Sequence, residues 1–338
     1  MTTTSGPHSR ATIEDVAQAA SVSVATVSRA LRGLPNVAES TRVRVEQVAS
    51  RLNYHAHPNA SGLASGRSLN VAIAVPVLNS WYFSEVVAGA EAVLSEAGYS
   101  LLVTATSSSA ERSEFVRWAA FSGSADGVIM VDLPLDSNEV QLLSRAELGV
   151  VTTGFDCPEF PSVVVDNVAV GDLATKHLID RGHRRIGILS GQSEDPLHFT
   201  VPSDRVDGFK RALLESGIDF DPSLECTGNF STSGGREAMW RLLDLDESPT
   251  AVFAMSDEMA FGAIWAAHDR GLAVPGDLAV VGVDDHDMSE MLGLTTVSQQ
   301  VDQHGVVAAR WLTDGLGGAT QSAGSVEMDL ELVVRTTT

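Results

Sequence analysis

Arg29 is the one charged side chain in SVSVATVSRAL (21–31), a stretch otherwise built of small and β-branched residues with modest helix propensity. Such a segment is either a buried connector or a face made to touch something. Other chemistry-bearing residues follow apolar runs much later in the chain. Asp166 closes SVVVD and Asp284 closes VVGVD, where a carboxylate can accept paired hydroxyl hydrogen bonds. Arg205 opens RVDGF, and its forked donors suit ring or anionic oxygens. Trp81, Tyr82 and Phe83 follow VAIAVPVLNS and offer a stacking wall for the apolar faces of sugar rings or bases. Each has a plainer alternative, since aromatics also fill cores and a strand-end Asp also caps the next helix.

Enzyme chemistry leaves no comparable trace. There is no GxSxG, P-loop, GxGxxG after a strand or metal-ligand cluster, so the expectation is no catalytic residue, no metal and no cofactor. His177, His183 and His286 are scattered and read as structural or solvated. Cys157 and Cys226 have neither disulfide-framework nor zinc spacing and read as reduced, small hydrophobes.

The elements that must position these residues begin with a small helical head. Thr12 and Asp15 have capping-box spacing, and Ile13, Val16, Ala17 and Ala20 recur on one face of a short helix. Ser21 and Val22 make a turn, and Ser23 caps a second helix running to about Leu31 or Arg32. Val27, Ala30 and Leu31 face inward there, leaving Val24, Ala25, Ser28, Arg29 and Arg32 outward. Gly33, Pro35 and Asn36 break the chain before a third helix from about Glu39 to Leu52, with Val45, Val48, Ala49 and Leu52 buried. Three short helices with a tight first turn fit a helix-turn-helix.

The runs TIEDVAQAASVSVATVSRALRG and VAESTRVRVEQVASRLNY resemble, without gaps, the DNA-binding head of the lactose-repressor (LacI/GalR) family of bacterial transcriptional regulators. The resemblance implies that the second helix lies in the major groove with Val24, Ala25 and Arg29 reading bases. Arg29 suits guanine O6 and N7, while Val24 and Ala25 offer apolar contact, for instance to a thymine methyl. Ser23, Thr26, Ser28, Thr41 and Tyr54 would hold phosphates and set register. Two residues depart from the family: Ser21 replaces the usual turn glycine, and Arg32 a frequent asparagine.

HAHPNASGLASGRSL (55–69) has a linker's composition, yet from Tyr54 it aligns with the family's hinge helix. The resemblance puts Ala60 in that helix and Leu63 at the leucine that wedges into the minor groove beside its dimer mate. Ala56, His57, Pro58 and Ser61 depart from the usual pattern, and Gly62 costs a helix interior about 1 kcal/mol.

Beyond the hinge, near-continuous apolar runs alternate with helical stretches: 71–77, 99–106, 126–132, 149–154, 185–190, 250–255 and 278–284. This pattern predicts parallel sheets covered on both faces, with ligands beyond the strands' carboxyl ends. The expected fold is a small all-α helix-turn-helix head plus an α/β body of two lobes. The resemblance agrees, implying a periplasmic-binding-protein-like fold that clasps a small ligand between its lobes. The expected domains are 11–54, a hinge at 55–68 and an effector-binding, dimerising body at 69–338. Its lobes would hold 69–166 with 298–320, and 167–297 with 321–338. By alignment, Ser256 stands where relatives often have asparagine, and Phe230 where they have another aromatic; both join the effector site with Trp81, Tyr82, Phe83, Asp166, Arg205 and Asp284.

The totals shape the choice of partners. The 338 residues carry a net charge of -22, yet residues 1–67 hold seven arginines against four acids, so the rest carries -25. A basic head on an acidic body lets duplex DNA select one end of the molecule. No apolar run approaches the roughly 20 residues of a membrane span, and MTTTSGPHSR leads into no signal-peptide core, so the expected location is cytoplasmic, on the nucleoid when DNA-bound. The expectation is a homodimeric transcriptional regulator on a pseudo-palindromic operator. Its default is repression relieved by a small effector, a sugar first and a purine or nucleoside second, with corepression as the opposite sign. Residues 199–201 lack the polar pattern of a purine reader. A solute-binding protein shares the body but not the head.

Overall fold

The computed structural model describes residues 11–31, 35–54, 67–192, 197, 199–318 and 323–338. It divides into a head, Met1–Leu69, and a body, Asn70–Thr338.

The head consists of α1 (Ile13–Ala20), α2 (Val24–Leu31) and α3 (Glu39–Arg51). The capping box forms: Thr12 Oγ1 accepts the Asp15 N–H at 3.3 Å, and the Asp15 carboxylate accepts the Thr12 N–H at 2.8 Å. Ser21 ends α1 at φ 54°, in the left-handed region where glycine carries no steric cost. Ser23 Oγ accepts the Thr26 N–H at 3.1 Å and so starts α2. Val16, Ala20, Val27, Ala30, Val45, Val48 and Ala49 form the core, with Leu31 and Leu52 half-buried against it. Arg42 donates to the Ala30 carbonyl at 3.1 Å, placing a cation at the negative end of α2 and tying it to α3.

The body contains two six-stranded sheets. In the first, β1 (Asn70–Val75), β2 (Ser100–Ala105), β3 (Gly127–Val131), β4 (Gly149–Thr153), β5 (Ser162–Val164) and β11 (Ser325–Glu327) run in the order β11-β5-β4-β3-β1-β2, all parallel. In the second, β6 (Ile186–Ser190), β7 (Glu225–Thr227), β8 (Ala251–Ala254), β9 (Ala279–Val283), β10 (Thr295–Ser298) and β12 (Glu331–Val333) run in the order β12-β10-β9-β8-β6-β7, with only β12 antiparallel to its neighbour. β3, β6, β8 and β9 are buried along their whole length, as parallel strands sandwiched by helices must be, whereas edge strand β2 is mostly exposed.

The helices of the first lobe are α4 (Trp81–Glu96), α5 (Ser109–Ser122) and α6 (Ser137–Arg145); α7 (Asn167–Asp180), α8 (Val201–Glu215), α9 (Thr232–Leu243), α10 (Asp257–Asp269) and α11 (Asp287–Leu292) follow, and α12 (Val301–Leu316) packs back on α4. The chain passes between the sheets after β5, after β10 and between β11 and β12. The tail therefore corrects one expectation: 321–338 does not belong wholly to the second lobe. β11 pairs with β5, Val326 opposite Val163, and so satisfies an edge of the first sheet before β12 joins the second.

Glycines set the close contact between α7 and α8. A Cβ on Gly171 of α7 would lie 2.1 Å from the Arg205 carbonyl of α8, and one on Gly208 would lie 2.0 Å from the Val168 carbonyl. The two backbones touch at this crossing, which fixes the helix that carries Arg205. No helix among the described residues is long and apolar enough to cross a membrane.

Candidate functional site

Two surfaces carry the chemistry, one on each unit. On the head, α2 buries Val27 and Ala30 and turns Val24, Ala25 and Arg29 to solvent, with Val24 40% exposed. The apolar side chains hold the helix from behind, so its small outward residues leave the backbone open to a groove. Ser23 is exposed and Thr26 half-buried, their hydroxyls 2.9 Å apart. Ser28, Thr41 and Tyr54 are half-buried, Tyr54 against the head's core. Arg32, Ala60 and Leu63 lie outside the described residues, as do Ala56, His57, Pro58, Ser61 and Gly62.

In the body, a cavity of about 480 Å³ lies beyond the carboxyl ends of the strands, a size within the range of small-molecule sites. Tyr82, Phe83, Arg205, Phe230, Ser256 and Asp284, all expected from the sequence, line it together. Tyr82 and Phe83 come from the first turn of α4; Arg205 rises from α8. Arg205 Nε donates to Asn167 Oδ1 at 2.9 Å and one terminal nitrogen donates to the Met255 carbonyl, so part of its fork is already used. Ser256 both lines the cavity and caps α10, accepting the Met259 N–H at 3.2 Å. Asp284 ends β9 at φ 113° and accepts from Gln299 Nε2 at 2.5 Å.

Two expectations are corrected. Asp166 is not among the lining residues: its carboxylate accepts the Ala169 N–H at 2.8 Å and caps α7, the ordinary fate of a strand-end Asp. Its neighbour Asn167 meets the cavity instead. Trp81 is not a lining residue either. Its ring stacks on His286, centroids 4.4 Å apart, so it fastens α4 to the loop beyond β9.

Asp132 was missed, although it closes DGVIMVD just as Asp284 closes VVGVD. The strand-end rule finds it when applied to every strand. Its side chain lines the cavity from the first lobe, at φ 49°, against Gly154, where a Cβ would strike the carboxylate. Gln299, also missed, follows β10 where the chain crosses between the sheets.

Burial dominates the electrostatics. It pushes Asp132 and Asp284 each up to about 7, although Arg205 and hydrogen bonds from Tyr82 and Gln299, respectively, favour the charged forms. Asp257, behind the site, is pushed up to about 8 by burial and by Asp284. It accepts from the His286 N–H at 2.9 Å, Ser289 Oγ at 2.6 Å and Thr296 Oγ1 at 2.7 Å. Arg335 adds a bond to Asp285 at 2.7 Å. These contacts hold the loop that presents Asp284 in its uncommon backbone conformation.

Comparison with known proteins bears on both surfaces. The profile described as "Bacterial regulatory proteins, lacI family" matches residues 12–59, and that of the "Periplasmic binding protein-like domain" matches 175–338. Catabolite control protein A of Priestia megaterium is 34% identical over 331 residues, covering 97% of this chain and 99% of its own. The chain belongs to the lacI family. The HTH-type transcriptional repressor CytR of Escherichia coli K12 is also 34% identical, over 97% of this chain and 96% of its own. Among solved structures, the lac repressor dimer bound to operator and the anti-inducer ONPF superposes with a TM-score of 0.81 at 28% identity, covering 97% of this chain and 99% of its own. A complex of the transcriptional regulator CelR with cellobiose superposes at 0.70 and 31% identity, covering 97% of this chain and all of its own. The two-lobed fold and the DNA-binding head are those of lacI-family transcriptional regulators, which are not enzymes.

Proposed function

We propose that this lacI-family regulator is a homodimeric repressor whose operator affinity is set by a neutral sugar held between the lobes of its body. The charge balance of the cavity carries the effector reading. Among the described residues, Asp132, Asp284 and Glu258 face it against a single cation, Arg205, whose donors are partly taken by Asn167 and the Met255 carbonyl. An anionic effector would meet a surplus of carboxyl groups, while a polyol supplies hydroxyl donors to them and apolar ring faces to Phe83 and Phe230. The neighbouring Leu197, Phe199, Val201 and Pro202 offer no side-chain hydrogen bonds to a purine's edge. Cellobiose in the CelR complex is a ligand of the same class.

On the head, Val24, Ala25 and Arg29 read base edges, while Ser23, Thr26, Ser28, Thr41 and Tyr54 meet phosphates. Thr41 lies in the first turn of α3, where a phosphate meets the positive end of the helix dipole. Ala60 and Leu63 form the hinge that enters the minor groove. A second copy covers the apolar residues that the body leaves exposed on β2 (Leu102, Val103), α10 (Trp265) and α11 (Met291, Leu292). Sugar binding changes how the two lobes meet and releases the operator.

Thermal shift of the full-length protein against neutral sugars, phosphorylated sugars and nucleosides tests the effector. A neutral sugar raises Tm, and Asp284→Asn removes the shift. Stabilisation by phosphorylated sugars alone contradicts the reading.

A further inference from the structure

A second, outer cavity adjoins the effector cavity. Its volume is about 690 Å³, and Gly154, Val165 and Asn167 belong to the walls of both. Each lobe passes from the inner cavity to the outer along the chain. In the first lobe Asp132 meets the inner cavity, and Pro134 and Leu135 just beyond it meet the outer. Gly154, on the shared wall, leads into Phe155 and Asp156 of the outer cavity in the same way. In the second lobe the start of α8 is divided between them, with Val201 and Arg205 on the inner cavity and Thr200 and Asp204 on the outer. The strand-end loops that build the effector site therefore continue past it.

A buried donor stands at the junction. Asn167 is only 7% exposed. Its Oδ1 accepts from Arg205 Nε at 2.9 Å, and its Nδ2 donates to the Val165 carbonyl at 3.4 Å. A primary amide nitrogen carries two hydrogens, so one N–H remains at the boundary between the cavities. A buried donor is costly unless an acceptor reaches it, and the oxygen that links two sugar rings is such an acceptor.

The outer walls differ in chemistry from the inner ones. Tyr82, Phe83, Phe199 and Phe230 face the inner cavity with aromatic rings. The outer cavity carries the carboxylates of Asp156, Glu159 and Asp204 and the hydroxyls of Ser137, Thr200 and Ser325. Thr200 precedes α8 without spending its side chain on a capping bond. Among the described residues no Lys, Arg or His lines this cavity, so a phosphate or carboxylate there would meet three acids and no counter-charge. A hydroxyl-rich ring suits it better, donating to the carboxylates and laying its apolar face on Phe155 and Pro134.

We propose that the effector is an oligosaccharide of at least two linked rings, one in the inner cavity and the next in the outer, with Asn167 at the linkage and Asp204 accepting from the outer ring. This rests on the sugar reading of the inner cavity. The outer cavity then selects for chain length, because a single ring leaves its acids in water and gains nothing from them.

Calorimetry on the full-length protein tests this with ladders of one, two and three rings: glucose, cellobiose and cellotriose; glucose, maltose and maltotriose; xylose, xylobiose and xylotriose. Adenosine serves as the ligand outside the class. In one ladder the wild type should gain about tenfold or more in affinity from the first ring to the second. Asp204→Ala removes the outer acceptor and Ser137→Trp fills the outer cavity; each should bring the ratio of two-ring to one-ring affinity down towards unity. The ratio is taken within each variant, so a general loss of stability does not mimic the effect. A flat ladder in the wild type overturns the extended site and leaves the sugar reading standing, as does a steep ladder that both variants preserve. Binding by none of the sugars, with or without binding of adenosine, overturns both.

Discussion

Arg29 and Asp132 illustrate what a residue's surroundings do to its chemistry. Arg29 is exposed on a helix whose other outward side chains are small, so its whole fork is available to a base edge. Arg29→Ala should weaken specific operator binding by about 1 to 3 kcal/mol and relax preference at one base position, as measured by fluorescence anisotropy at fixed salt. Asp132, Asp284 and Asp257 are buried instead, with pKa values raised to about 7, 7 and 8. An unfolded carboxyl releases its proton near 4, so in the window from about 4 to 8 the native state binds more protons and stability falls as pH rises. His304, lowered to about 4, acts in the other direction. Below about 6.5 the unfolded chain takes up its proton first, and stability falls as pH drops. The three acids outweigh the one histidine throughout this window, so the ligand-free body should melt progressively lower as pH rises from about 5 to 8 in scanning calorimetry. A Tm that climbs steadily to pH 8 would contradict the burial of these acids.

At the scale of elements, periodicity and capping signals were informative where elements are long or punctuated. The three head helices and the seven apolar strands follow directly from spacing and from near-continuous apolar runs. β5, β7, β10, β11 and β12 are three or four residues each, too short for any period to show, and β11 and β12 are placed by sheet edges that local sequence does not encode. Asp166 and Trp81 went astray for a related reason, because residue type does not say whether a strand-end side chain turns to a cavity or to its own helix. Two substitutions test the element-level account. Ser21→Gly removes the left-handed strain at the end of α1 and should stabilise the head by about 1 kcal/mol, seen as slower hydrogen exchange of α1 and α2 amides in the full-length protein. Gly171→Ala forces α7 away from the Arg205 carbonyl. It should cost roughly 1 to 3 kcal/mol and weaken effector binding by displacing Arg205.

The whole molecule combines a head with a small positive surplus and a body with a large negative charge. Duplex DNA is thereby attracted at one end and repelled along the rest, and rising salt should weaken operator binding through counterion release. Trp265→Asp on the exposed face of α10 should shift the protein towards monomer in sedimentation velocity and reduce operator affinity with it, because two heads are needed to span two half-sites. The central claim, a sequence-reading head on an effector-clasping body, is tested most directly by selecting duplexes from a random library with the full-length protein and with Arg29→Ala at one salt concentration. The wild type should retain an inverted repeat with a guanine at a fixed position in each half-site, and the variant should lose that preference. Retained duplexes indistinguishable from the starting library would contradict the account.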